Sequence, residues 1–170
     1  MTTHAPSEAA GKPQGFAPHD HKSCVSTALQ TAEAYCAANG LRLTPVRRKV
    51  LEILLQEHKA MGAYAVLERL SEEGYGSQPP VAYRALDFLV TNGFVHKIAR
   101  LNAFIACAHP GSEHAPAFMI CRSCDTVAEA STALPSGALS SAAQETGFRI
   151  EQTVIEAEGT CPACIEKENA

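Results

Sequence analysis

No stretch of this chain approaches the ~20 consecutive apolar residues that a bilayer-spanning helix needs. The strongest candidate, "VLEILL" at 50–55, is interrupted by Glu52. The N-terminus, "MTTHAPSEAAGKPQGFAPHDHK", lacks the apolar core of a secretory signal. Its Pro, Gly, Ala and His content reads instead as a disordered tail over 1–22. These absences leave no membrane partner and make a cytoplasmic protein the expectation. Basic charge is not in excess either: the formal net charge is -4, which at first argues against nucleic acid. Internal repeats are also missing.

What is present suits a soluble globular protein, with 46% hydrophobic and 19% charged residues. A length of 170 residues allows one large domain or two small ones. Charge is unevenly divided. Residues 1–100 hold 11 basic and 9 acidic side chains, whereas the remainder holds 3 and 9. Whatever meets a polyanion therefore lies in the first part, notably in "RLTPVRRK" at 42–49, which contains no acid. Cysteines number seven, an odd count, and four of them form two C-x-x-C pairs. In a reducing cytosol that favours metal thiolates over a disulfide framework.

Val25, Leu29, Ala32 and Cys36 recur at helical spacing ahead of Asn39-Gly40. Thr44-Pro45 opens a second helix, an N-cap followed by a proline where its missing N–H costs nothing. Val46, Val50, Ile53 and Leu54 line one face of that helix, which the pattern carries to about His58. "YAVLERLSEEG" predicts a third helix, and "VAYRALDFLVTNG" a fourth that ends on Asn92-Gly93. "FVHKIAR" and "NAFIAC" are two strand-like runs with a turn near Leu101-Asn102. Helices followed by a hairpin make a winged helix-turn-helix, with the fourth helix in the recognition position. The expected fold is α+β. A winged-helix domain over 23–107 precedes a small α/β domain over 108–170. In the latter, "AFMICRSC" predicts a strand, "PSGALSSAAQETG" a weak helix, and "FRIEQTVIEAEG" a second strand closed by "CPAC". A unit this small needs a metal or a partner chain to be stable.

Cys121-x-x-Cys124 and Cys161-x-x-Cys164, with 36 residues between them, present four thiolates that satisfy tetrahedral zinc with no open position. The competing redox reading of C-x-x-C needs a thioredoxin-like βαβ pattern, which is absent. Once those four are assigned, Cys107 and its neighbouring histidines are free for a second metal. His96 and Cys107 on the wing, His114 on the following loop and Glu129 past the first knuckle would straddle the two units. Spacing alone equally permits a buried Cys107 acting as a small hydrophobe, with surface histidines around it. His19, His21 and Cys24 could hold a third metal, and His109 could compete with His114.

"LRLTPVRRKVLEIL", "PPVAYRALDFLVTNGFVHKI", "FIAC", the two C-x-x-C pairs and "VIEAEGTCPAC" occur here in an order and spacing that strongly resembles the ferric uptake regulator family. The resemblance covers roughly residues 24–165 and points to the zinc uptake regulator branch. It implies a structural zinc on Cys121, Cys124, Cys161 and Cys164, and a regulatory zinc on His96, Cys107, His114 and Glu129. This makes two Zn2+ per chain. It also implies that 23–107 is a DNA-binding domain and 108–170 a dimerisation and metal-binding domain, in a homodimer that represses zinc-uptake genes by binding AT-rich palindromic operators in double-stranded DNA. Tyr83 and Arg84 would face the major groove, where Arg pairs with guanine or phosphate and the Tyr ring packs on a thymine methyl. Arg47, Arg48 and Lys49 are candidates for phosphate contacts. One departure is informative: the His-rich run that iron sensors carry before the first C-x-x-C is here "APAF". A thiolate among imidazoles suits zinc better than iron(II) or manganese. The alternatives are a sensor of another metal or of peroxide, a hydrolase using Cys107 with His109 or His114, and a zinc-ribbon module without DNA binding.

Overall fold

Asp20 caps the first helix, α1 (His21–Ala38), by accepting from the Ser23 N–H in a computed structural model that describes residues 15–16, 20–111, 114–132 and 137–170. Helix α2 (Pro45–Leu55) opens as expected, with Thr44 Oγ1 accepting from the Arg47 N–H and Pro45 in the first turn. It stops at Leu55, before the expected His58, because the chain turns there to meet the second unit. The His58 carbonyl accepts from the Val127 N–H at 2.8 Å, and Lys59 bridges to Thr126.

Helices α3 (Ala63–Glu72) and α4 (Pro79–Thr91) follow. Ala82, Ala85, Leu86 and Leu89 form the buried stripe of α4, at the spacing that one helix face requires. They pack with Val50, Ile53, Leu54, Val66 and Leu70 in one core. Strands β1 (Val95–Ile98) and β2 (Ala103–Ala106) pair antiparallel as the wing. The turn between them includes Asn102 at φ 46, a conformation that asparagine tolerates.

The second unit contains β3 (Ala115–Cys121), β4 (Val127–Thr132), α5 (Ala138–Thr146), β5 (Ile155–Gly159) and α6 (Pro162–Glu168). Its sheet order is β4-β3-β5, with β4 antiparallel and β5 parallel to β3. The expected strand over 148–159 is corrected to 155–159. Pairing with β3 begins at Ala117↔Ile155, next to Pro116, which has no N–H to offer a ladder. Strand β4 and helix α6 are additional to the expected elements. Among the described residues of α5 and α6, none is buried.

A second cluster joins the units, with Ile98 and Ile105 of the wing packing on Phe118, Ile120 and Val127 of the sheet. Part of the expected tail is engaged as well. Helix α1 begins at His21, inside it, and Gly15 runs against β4 at φ +123. A Cβ on Gly15 would stand 2.6 Å from the Val127 carbonyl oxygen, so only glycine fits there. Residues 1–14 and 17–19, including His19, lie outside the described residues, as does the side chain of His21. No described helix is long and apolar enough to cross a membrane.

Candidate metal centres and nucleic-acid interface

The last residue of β3 is Cys121, and a tight turn with Asp125 at φ 60 swings Cys124 back beneath it. From the far end of the unit come Cys161, the N-cap of α6, and Cys164 one turn later. The four sulfurs lie within 4.8 Å of one another. Cys124 Sγ and Cys161 Sγ are 3.7 Å apart. Tetrahedral zinc with bonds of ~2.3 Å separates its sulfurs by about 3.8 Å, so the cage fits that ion.

The cage is also electrostatically prepared. The Cys161 N–H donates to Cys121 Sγ at 3.3 Å and, with the N–H groups of Ser123 and Cys124, pulls the Cys121 thiol down to about 6. Contact with Thr126 lowers Cys124 likewise. Cys164, sharing hydrogen bonds with the Cys161, Cys124 and Cys121 sulfurs, is pushed up to about 12. A cation entering the cage has to displace the protons that these thiols still hold.

The second group assembles where the wing meets the sheet. His96 (β1), Cys107 (just past β2), His114 (just before β3) and Glu129 (β4) bring one ligand atom each within 4.8 Å of the others. Cys107 Sγ lies 3.5 Å from His114 Nε2 and 3.9 Å from Glu129 Oε1. Glu129 Oε1 is 2.8 Å from His114 Nε2 and 3.1 Å from His96 Nε2. A tetrahedral zinc would separate sulfur from nitrogen by about 3.6 Å and nitrogen from oxygen by about 3.3 Å. The sulfur is already placed, and admitting an ion moves the Glu129 oxygen by only a few tenths of an ångström. His96 Nε2 is buried without an aligned hydrogen bond, despite its approach to Glu129. Such an orphaned ring nitrogen is what a ligand position requires.

Charge in this group is balanced by proximity. Burial would raise the Glu129 carboxyl. The adjacent His96 imidazole, the Ala108 N–H at 2.7 Å and His114 outweigh it, and the group lies below the usual carboxylate range. Cys107 is 3% exposed, and burial, followed by the Glu129 charge, pushes its thiol up to about 12. The His109 N–H donates to its sulfur at 3.3 Å, a partial offset. The His109 ring lies 5.8 Å edge-on from the His114 ring and is not one of the four converging ligands.

On α4, Tyr83 (43% exposed) and Arg84 stand opposite the buried stripe. No described carboxylate forms an ion pair with Arg84. The basic run of α2 is placed differently. The Arg47 guanidinium lies 3.7 Å over the Phe88 ring and donates to the Arg42 carbonyl at 2.6 Å, tying α2 to α4. Arg48 pairs with Glu33 at 2.8 Å, and Lys49 pairs with Glu52 and Glu73. The residues that sequence reasoning missed are the helpers: Thr126 beside Cys124, the Ala108 N–H on Glu129, and Glu156 under the wing turn. Among these only Glu156 left a trace, as part of the alternation in "TVIEAEG".

The model of the ferric uptake regulator family matches residues 38–158. The zinc uptake regulation protein of Escherichia coli (strain K12) is 37% identical over 148 residues, 86% of each chain. A zinc uptake regulator solved in complex with zinc and DNA superimposes with a TM-score of 0.81 at 37% identity. That match covers 86% of this chain and 98% of the other. The holo form of XcZur gives 0.74 at 37% identity, over 82% and 98% of the respective chains. The chain belongs to the ferric uptake regulator family, in its zinc uptake regulator branch.

Proposed function

We propose that this chain is a homodimeric, zinc-responsive transcriptional repressor that binds AT-rich palindromic operators of zinc-uptake genes when zinc-loaded. In this reading it is cytoplasmic and not an enzyme. One observation carries the reading: two ligands from the wing and two from the second unit converge on one point. The relatives' descriptions as zinc regulators, one of them complexed with zinc and DNA, support the choice of metal and partner.

Two Zn2+ per chain are proposed, with distinct work. Cys121, Cys124, Cys161 and Cys164 would hold a structural ion that pins α6 to the end of β3. His96, Cys107, His114 and Glu129 would hold the regulatory one. Bound there, the cation supplies two positive charges that balance the Cys107 thiolate and the Glu129 carboxylate. His96 and Cys107 are then held to His114 and Glu129, so the winged-helix unit (23–107) and the dimer-forming unit (108–170) share one orientation. In a dimer this sets the separation of two α4 helices, and a palindrome demands one separation. Tyr83 and Arg84 would read base edges. Arg47, Arg48 and Lys49 would meet phosphates, the last two by exchanging their carboxylate partners.

Dimerisation through the second unit is supported by its exposed apolar residues Leu139, Phe148, Val154 and Ile155, together with the edge of β5. The alternative, a sensor of iron, manganese, nickel or peroxide, fits a buried thiol between two imidazoles less well. A hydrolase built on Cys107 would need a lowered thiol pKa and access to substrate, and Cys107 has neither. The test is metal content before and after mild chelation, with gel shifts on an AT-rich palindrome. Two zincs falling to one, with operator binding lost in step, is the expected result. Operator binding indifferent to chelation would overturn the reading.

A further inference from the structure

Glu129, Phe118 and Glu156 stand in one row across the second unit's sheet, since Phe118 pairs with Glu129 on β4 and with Glu156 on β5. Residues in register on neighbouring strands project to the same face. The wing strand β1 lies across this row. At one end His96 Nε2 is 3.1 Å from Glu129 Oε1, and in the middle the His96 ring meets Phe118 at 5.5 Å. At the other end the Glu156 carboxylate accepts two consecutive backbone N–H groups, from Ala99 at 2.9 Å and Arg100 at 3.3 Å. The next row repeats the contact: Ile120 pairs with Glu158, whose carboxylate is 2.8 Å from Arg100 Nη2. The dimensions agree. Two strand spacings separate Glu129 from Glu156 by about 10 Å, and three residues of extended chain from His96 to Ala99 also span about 10 Å.

From this we propose that Glu156 is a positioning residue for zinc sensing: it fixes the far end of β1 on the sheet and thereby sets where His96 meets Glu129. The inference rests on the regulatory-zinc reading above and adds to it a contact that involves neither a metal ligand nor DNA. A carboxylate suits the task because its two oxygens can each take one of two adjacent N–H groups, fixing the wing turn in position and in rotation. An alanine leaves those donors to water and frees the strand end, so His96 samples positions away from the other three ligands. Outer-shell partners of metal ligands typically alter affinity by about 10–100-fold. Glu156, one strand segment removed from the ligand, belongs at the lower end.

The test uses the full-length dimer, with zinc competition against a chelator and cobalt(II) as a spectroscopic probe of the sensing group. Glu156→Ala is expected to weaken the sensing zinc by about 10-fold. It should also alter the cobalt spectrum, while the four-cysteine zinc and the dimer are retained. Glu156→Gln, which keeps one acceptor oxygen, is expected to recover part of that loss. Unchanged sensing affinity and cobalt spectrum in Glu156→Ala would overturn the proposal, as would parallel loss of both metals. If Glu156→Ala fails to fold, Glu156→Gln decides by the same readouts. Wild-type protein that takes up no second zinc would instead sink the regulatory-site reading itself, so the two failures are distinguishable.

Discussion

Replacing Cys107 with serine removes a thiol that the fold holds protonated. Burial and the Glu129 carboxylate push its pKa up to about 12, so at pH 7.5 the ionised form lies on the order of 6 kcal/mol above the thiol. In the proposed reading, zinc held by His96, Cys107, His114 and Glu129 would supply that energy and release one proton from Cys107. The sign follows directly. The free protein keeps the proton throughout the neutral range, whereas the loaded protein does not. Sensing affinity therefore rises about tenfold per pH unit from this ligand alone. Serine cannot ionise in this range, so Cys107→Ser should bind the sensing zinc weakly and lose that share of the pH slope. The four-cysteine zinc and the dimer should remain. The assay is chelator competition for the sensing zinc at half-unit steps from pH 7 to 8.5 (roughly 30-fold for one proton). A wild-type slope no steeper than that of Cys107→Ser would refute the assignment of the thiolate as a ligand.

Other substitutions probe separate parts. Cys121→Ser should abolish zinc at the cage and leave the second unit unfolded or monomeric, because metal binding there is folding free energy; circular dichroism and sedimentation would show it. Phe118→Ala should cost about 3–5 kcal/mol in denaturant unfolding, since Phe118 is fully buried between the wing and the sheet. Arg84→Ala should lose about 1–3 kcal/mol of operator binding, unevenly across operator variants. Arg48→Ala should weaken all sequences alike and reduce the salt slope. Glu129 has a folded-state pKa below its unfolded one, so its contribution to apo stability is full above about pH 4.3 and lost as pH falls through the lowered value. Acid titration of Glu129→Gln should lack that loss.

Much of this was legible in the sequence because local chemistry and periodicity agreed. Thr44-Pro45, the stripe of Ala82, Ala85, Leu86 and Leu89, and the two C-x-x-C pairs each carry their own physical signature. The convergence of His96, Cys107, His114 and Glu129 is implied by the family resemblance, whereas spacing alone leaves Cys107 open to a packing role. Strand β4 was hidden because "VAEAST" sets a carboxylate and alanines where a strand usually shows branched residues. Helix α6 is too short for a 3.6-residue period to register. The Arg48–Glu33 and Lys49–Glu73 ion pairs and the grip of Glu156 on the wing turn join residues far apart in the chain, which no local pattern encodes.

In the proposed function one cluster of side chains couples the wing to the second unit, and linkage makes that coupling measurable from either side. If zinc strengthens operator binding by some factor, the operator must strengthen sensing-zinc binding by the same factor. The decisive measurement is the affinity of the sensing zinc with and without saturating operator DNA, set beside operator affinity with and without zinc. Two equal factors are expected, both collapsing toward one in Cys107→Ser. A sensing-zinc affinity unchanged by operator DNA would contradict it.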